Sequence, residues 1–385
     1  MILADRMEPV STYFFAELNR TIAGLSQAGK DIIRLDIGSP DLPPPQAVVE
    51  KLCQSAAEPT KHGYQSHRGT AAFRDAWRTY YARLYDVEID PEREIMPLIG
   101  TKEGIFHFTQ MLVNPGDLVL IPDPHYPTYL AGTLFAGGKP YFVPLQEEND
   151  YLPDLSAVPD DVARQAKLMW VNYPNNPTGG TASLDFFTDL VKWAKESNTL
   201  LCADAAYSQV FHDGTPPPSI LQVPGAKGIA VEFHSLSKSY NMAGWRIGAL
   251  VGNPDYIHGL LTLKSNVDSG TFGPILDAAA CALETDPDWV LERNRTYRRR
   301  RDLVVNAFLE QGIPLKTPQA ALYIWVPIPE KQTSKQFAMD LLQETGVSIA
   351  PGTIFGREGE GFIRISIVQP AERLGEAMQR IQGWW

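Results

Sequence analysis

Cysteine is scarce. Cys53, Cys202 and Cys281 are the only three in 385 residues, they lie far apart, and none belongs to a C-x-x-C pair. A disulfide framework or a cysteine-based metal site is therefore not expected; no metal is implied, and Cys202, inside an apolar run, reads as a small buried hydrophobe. No stretch of about 18 apolar residues occurs, so no membrane-spanning helix is expected. Asp5 and Glu8 fall within the first ten residues, which lack a long apolar core. No signal peptide is expected, and the cytoplasm is the expected location. Positive charge is short as well: the formal net charge is −11, and the one basic tract, Arg298 to Arg301, is flanked by Glu292 and Asp302. Phosphate neutralisation needs clustered Lys and Arg, so a nucleic-acid partner is not expected. Internal repeats and low-complexity segments are also missing.

What is present is the composition of a globular protein, 44% hydrophobic and 21% charged. The length exceeds what one hydrophobic core usually serves, which predicts two domains. Strands alternate with helices from about residue 94 to 250, the pattern of a doubly wound, mostly parallel α/β sheet. Ile32 to Ile37 alternates as a strand. A continuous helix is expected from about Asp277 to Gln311, leading into a second domain with strands at Ala321–Val326, Val347–Ala350 and Phe362–Ile367.

Chemistry is concentrated in the stretch Ser235 to Gly248, which reads SLSKSYNMAGWRIG. It connects two apolar runs that read as strands. Lys238 thus lies on a tight connection, with Ser235, Ser237 and Ser239 beside it and Arg246 eight residues on. A lysine held among dipoles and cations can lose its proton and attack a carbonyl; hydroxyls and a guanidinium are what a phosphate ester needs nearby. Five other segments carry candidate residues. Gly38, before a polar turn, lets backbone come close to a ligand. Gly100-Thr101-Lys102-Glu103-Gly104 reads as a strand-to-helix turn, where free N–H groups receive an anion. NYPNNPTG, from Asn172 to Gly179, is more specific than a turn requires. Asp204 stands at the carboxyl end of a strand, where α/β sheets place ligand groups, with Tyr207 three residues on. Arg364 is a charge within an apolar strand, facing either solvent or a site.

Taken together these strings resemble the class I/II aminotransferases, the aspartate-aminotransferase-like enzymes of fold type I, over nearly the whole chain. The resemblance implies a large domain with a seven-stranded, mostly parallel sheet and a smaller α/β C-terminal domain. The boundaries it implies are an arm and part of the small domain at 1–45, the large domain at 46–280 and the small domain at 281–385. It implies that Lys238 bonds to pyridoxal 5'-phosphate as a Schiff base and, once freed, acts as general base. Asp204 would pair with the pyridinium nitrogen, Asn176 and Tyr207 would face the phenolic oxygen, and Tyr126 would stack on the ring. Thr101, Lys102, Ser235, Ser237 and Arg246 would hold the phosphate. Tyr64 matches a tyrosine that crosses to a partner's phosphate, which implies a homodimer with shared active sites. Asn266 matches an asparagine near both cofactor and substrate. Arg364 and Gly38 would hold the substrate α-carboxylate. Lys102, Tyr126 and Asn176 would also border the substrate. Tyr13 either packs as an ordinary aromatic or reaches the substrate pocket.

The activity so implied moves an amino group between an amino acid and a 2-oxo acid. HSLSKSYNMAGWRIG, with AYSQVFHDG before it and KSNVDSGTF after it, most resembles the LL-diaminopimelate aminotransferase group, so the reading leans to LL-diaminopimelate and 2-oxoglutarate. Other readings stay open: an alanine or other amino-acid transaminase, a C–S β-lyase, and, from another class, a non-catalytic pyridoxal-phosphate-binding regulator. Gln65-Ser66-His67-Arg68 brings basic character beside Tyr64, either to reach a distal substrate carboxylate or as plain surface.

Overall fold

The computed structural model describes residues 4–8, 14–330 and 332–385. In chain order the elements are α1 (Phe14–Gln27), β1 (Ile33–Arg34), α2 (Gln46–Ala56), α3 (Ala71–Tyr85), β2 (Ile95–Leu98), α4 (Thr101–Leu112), β3 (Leu118–Asp123), α5 (Pro127–Phe135), β4 (Lys139–Pro144), α6 (Asp160–Gln165), β5 (Ala166–Asn172), α7 (Leu184–Ser197) and β6 (Leu200–Asp204). There follow β7 (Ala230–Ser235), the single turn α8 (Leu236–Ser239), β8 (Gly248–Gly252), α9 (Pro254–Lys264), α10 (Gly273–Leu283), α11 (Pro287–Leu309), β9 (Tyr323–Pro327), α12 (Ser334–Thr345), β10 (Val347–Ser348), β11 (Ala350–Pro351), β12 (Phe362–Ser366) and α13 (Ala371–Gln382).

Seven strands form the main sheet in the order β2-β8-β7-β6-β5-β3-β4. β4, β3, β5, β6 and β7 run parallel, and β8 is antiparallel to both of its neighbours. The inner strands β6, β7 and β8 are buried throughout, as apolar runs such as Leu200–Asp204 require when helices cover both faces. One face packs Phe73, Trp77 and Tyr80 of α3, Leu190 of α7 and Leu276 of α10. The other packs Ile105 and Phe108 of α4, Tyr129 of α5 and Ile257 of α9 against Leu168, Trp170 and Phe233. Starts are set by local chemistry. The Ser183 side chain accepts from the Phe186 N–H at 3.1 Å to cap α7, and Pro127 opens α5, where a missing N–H costs nothing.

A second core joins Tyr297, Val304 and Phe308 of α11 to Ile324 and Val326 of β9, Phe337 and Leu341 of α12, Ile365 of β12 and Ile381 of α13. Ile33 and Leu35 from the N-terminal side pack into it. Its strands form an antiparallel sheet, β11-β12-β9, and a parallel pair, β1-β10. Among the described residues no helix is long and apolar enough to cross a membrane.

Three expectations are corrected. The expected helix from Asp277 to Gln311 is two, α10 and α11. Asp286 caps α11 through the Asp288 N–H and Pro287 occupies its first position, which ends any continuous ladder there. The expected strand Ile32–Ile37 is reduced to Ile33–Arg34; the chain stays tethered one residue further, Leu35 donating to Ser348 O at 2.7 Å and accepting from Ser366 N at 2.8 Å. The expected strand Val347–Ala350 divides into β10 and β11, which join different sheets.

Candidate active site

A cavity of about 670 Å³ opens at the carboxyl ends of the parallel strands, where α/β sheets bind ligands. Asn172 closes β5, Asp204 closes β6 and Ser235 closes β7, and all three line it.

Lys238 lies on α8, the single turn after β7, and its Nζ donates to Gly38 O. Surrounding protein lowers its pKa to about 7, chiefly by removing water and further through the cations Arg364 and Arg246. A lysine in that range supplies a neutral amine near neutral pH. The turn is anchored from behind by buried Arg293 of α11, which donates to Lys238 O at 3.1 Å and also to Ser239 O and Gln209 O. Gly38 has a steric reason to be glycine: an added Cβ would stand 1.9 Å from Tyr323 Oη.

Asp204 is buried, and desolvation raises its pKa to about 6; hydrogen bonds from Tyr129 and the Ala206 N–H pull the other way. Tyr129 Oη donates to Asp204 Oδ2 at 2.6 Å, and the Tyr129 ring lies stacked on Trp170, centroids 4.9 Å apart. Tyr207 shares a 2.7 Å hydrogen bond with Tyr323 across the floor.

One wall forms an anion cup. Gly100 takes a left-handed φ of 77°, and an added Cβ would lie 2.1 Å from Arg246 Nη2. That glycine lets the Arg246 guanidinium press against the start of α4, where Thr101 and Lys102 stand. Arg246 itself has φ 54°, an uncommon conformation for a side-chain-bearing residue. Its Nη1 donates to Ala243 O at 2.8 Å. Ser235 and Ser237 complete the cup, and the buried Thr101 Oγ1 has no partner among the described residues. Burial, and secondarily Arg246, lowers the Lys102 pKa.

Arg364, on β12, is buried and faces the cavity, which decides between its two expected orientations. It donates to Asn176 Oδ1 and to Asp36 O, both at 2.8 Å, and its carbon lies 4.0 Å from the Tyr323 ring centroid. Its Nε is buried without a partner among the described residues. Asn176 is held in turn by its N–H on Asn172 Oδ1 at 2.9 Å.

Of the residues singled out from sequence, Gly38, Thr101, Lys102, Tyr126, Asn176, Asp204, Tyr207, Ser235, Ser237, Lys238, Arg246 and Arg364 meet in this cavity. Two do not. Tyr64 is 96% exposed, and Asn266 is exposed with its amide turned back onto Thr262 O at 2.9 Å. Tyr13 lies outside the described residues. Sequence reading passed over Arg34, Asp36, Asn19, Tyr323 and Phe355, which also line the cavity, and Tyr129 behind it. A charged pair two residues apart before Gly38 was the signal available for Arg34 and Asp36.

Cations thus surround a cup with an orphaned hydroxyl, and a carboxylate and a deprotonatable lysine share the floor. This donor set fits a phosphorylated, aromatic, basic-nitrogen carbonyl compound. The family model for class I and II aminotransferases matches residues 30–381. The LL-diaminopimelate aminotransferase of Aquifex aeolicus is 47% identical over 379 residues, 98% of each chain. That of Moorella thermoacetica is 46% identical over 379 residues, 98% of this chain and 97% of the other. Among solved structures, substrate-bound BacF from Bacillus subtilis aligns with a TM-score of 0.96 at 38% identity, covering 100% of this chain and 98% of its own. A probable N-succinyldiaminopimelate aminotransferase from Thermus thermophilus aligns with a TM-score of 0.91 at 37% identity, over 96% and 99% of the chains.

Proposed function

The chain belongs to the class I and II aminotransferases and is a transaminase, and on that premise we propose that it uses pyridoxal 5'-phosphate to take the amino group of LL-diaminopimelate, with 2-oxoglutarate as acceptor. The single observation that carries the cofactor assignment is the meeting of Lys238, Asp204 and the Gly100–Arg246 cup in one cavity. The substrate assignment rests on the relatives' names.

The cofactor, when bound, supplies a ring that takes up the electron pair left at the substrate's α-carbon. The residues of this chain do the rest. The Thr101 hydroxyl, the first N–H groups of α4, Ser235, Ser237 and Arg246 would hold the phosphate. Asp204 would present its carboxylate to the ring nitrogen, and Tyr126 would border the ring. Arg364 takes the α-carboxylate through its free edge, which orients the Cα–H bond toward Lys238. Lys238, whose pKa of about 7 leaves a share of neutral amine at that pH, would take the proton from Cα and deliver it to the cofactor's carbonyl carbon.

We also assign the working form as a homodimer. Support comes from two tethered loops: His67 Nε2 and Asp268 O lie 2.9 Å apart, and His62 packs on Phe272 with centroids 5.6 Å apart. Together these loops leave Tyr64, Val267 and Phe272 exposed, an apolar surface suited to a second copy. The division into domains at 1–45, 46–280 and 281–385 belongs to this reading and is supported by the separate core around α11, β9 and α12.

The test is absorbance. Purified protein with pyridoxal phosphate is expected to show a visible band that LL-diaminopimelate bleaches and 2-oxoglutarate restores. A band that persists while pyruvate accumulates from cystathionine would instead indicate the lyase. No band at all would remove the cofactor assignment.

A further inference from the structure

The active cavity contains an arginine that none of the proposed steps uses. Arg34 lines it, and its guanidinium is fixed on two sides. Nε donates to Asp36 Oδ1 and Nη2 to Asp36 Oδ2, both at 2.7 Å, and Nη2 also reaches Asn19 Oδ1 at 2.9 Å. Among the described residues Nη1 has no partner. We propose that Arg34, clamped by Asp36 and Asn19, receives the distal carboxylate of a dicarboxylic amino acid; this rests on the transaminase reading of the same cavity.

Asp36 connects this arginine to the chemistry. Its backbone carbonyl accepts from Arg364 Nη2 at 2.8 Å, while its carboxylate holds Arg34. Two guanidinium groups in one cavity are therefore referenced to one residue, which sets their separation. Along the chain the order is Gly38 at Lys238, Asp36 at Arg364, then Arg34. A ligand gripped by its α-carboxylate at Arg364 and reaching further along this wall arrives at Arg34.

The chemistry of the exposed edge selects the ligand. Arginine is a donor only, and Asp36, whose side chain is 0% exposed, has both oxygens engaged by Arg34. The array offers N–H groups and no free carboxylate, so it selects an oxygen acceptor and not an ammonium. The parallel hydrogen bonds also hold the guanidinium plane before the ligand arrives, which reduces the entropy lost on binding. An ordinary exposed ion pair would contribute little and need no such burial.

Arg34→Gln alone would leave a buried carboxylate unpaired and is expected to destabilise the fold. The test therefore uses Arg34→Gln combined with Asp36→Asn, and Arg34→Lys, in the pyridoxal-phosphate-loaded enzyme. Donors are L-2-aminopimelate and L-2-aminoheptanoate, equal in length and differing in the distal carboxylate. The unaltered enzyme is expected to prefer the dicarboxylate. The double variant is expected to reduce that preference by about tenfold or more, mainly through KM, with Arg34→Lys between. Equal losses for both donors, or no preference in the unaltered enzyme, would overturn the subsite while leaving transamination intact. An unaltered enzyme that accepts an amino group from no donor removes the transaminase reading and the subsite with it.

Discussion

Tyr129 and Asp204 are 75 residues apart in sequence and joined by a 2.6 Å hydrogen bond at the bottom of the cavity. The tyrosine cannot swing away, because its ring is stacked on Trp170 within the core. It therefore fixes one oxygen of Asp204 where that residue lines the cavity.

Replacing Tyr129 by Phe removes this donor and keeps the packing. A hydrogen bond to a charged group contributes roughly 1.5–3 kcal/mol. The bond lowers the Asp204 pKa against the desolvation that lifts it to about 6, so its loss is expected to raise that pKa further. In the loaded enzyme we expect turnover to fall by about tenfold with little change in amino-acid KM, and the pH dependence of cofactor absorbance to move. An unmoved profile would mean that Tyr129 only packs.

Lys238 gives a stability prediction for the cofactor-free chain. Its folded pKa of about 7 lies below the ordinary lysine value of 10.5. Between these values the unfolded chain binds more protons, so stability increases as pH rises through the window and declines as pH falls toward 7. Lys238→Met is therefore expected to raise Tm at pH 7 by more than at pH 10, while abolishing turnover of the loaded enzyme. Thermal unfolding at the two pH values checks the first part; single-turnover absorbance checks the second.

Gly100→Ala meets two penalties at once. A positive φ paired with an extended ψ costs a side-chain-bearing residue about 1–3 kcal/mol, and the new Cβ would stand 2.1 Å from Arg246 Nη2. We expect a lower Tm and a pyridoxal-phosphate Kd raised by about tenfold or more, since a charged phosphate contact is disturbed. Fluorescence titration of the cofactor measures it.

Sharing of sites between two copies can be checked by complementation. Tyr64→Ala and Lys238→Ala proteins, each weak or inactive alone, are expected to regain activity when refolded together. Mixed dimers then contain one site with both residues intact. No recovery, in a mixture shown by mass to contain heterodimers, would place Tyr64 outside the partner's site.

The residues legible in the sequence were those whose chemistry travels with a local string. Lys238 with its serines, Asn176 in its proline-flanked turn, and Asp204 at a strand end could each be named from neighbours a few positions away. Tyr129, Tyr323 and Asp36 could not, because their roles arise from contacts across many residues. Tyr323 meets Tyr207 116 positions earlier, and Asp36 meets Arg364 328 positions later. Elements behaved similarly. The strand expected at Phe362–Ile367 is found at Phe362–Ser366. The break before Pro287 was missed because apolar periodicity continues on both sides of it, although the Asp-Pro pair marks a helix start.

That break gives α11 a particular part to play. The helix runs 23 residues, about 35 Å. Near its start Arg293 grips the backbone of the reactive turn, and near its end Phe308 is embedded in the distant core of β9 and α12. Lys238 is thus mounted on a strut rooted in the second core. A substitution such as Phe308→Ala, outside the lining of the cavity, should be felt as a change in the chemical reactivity of Lys238.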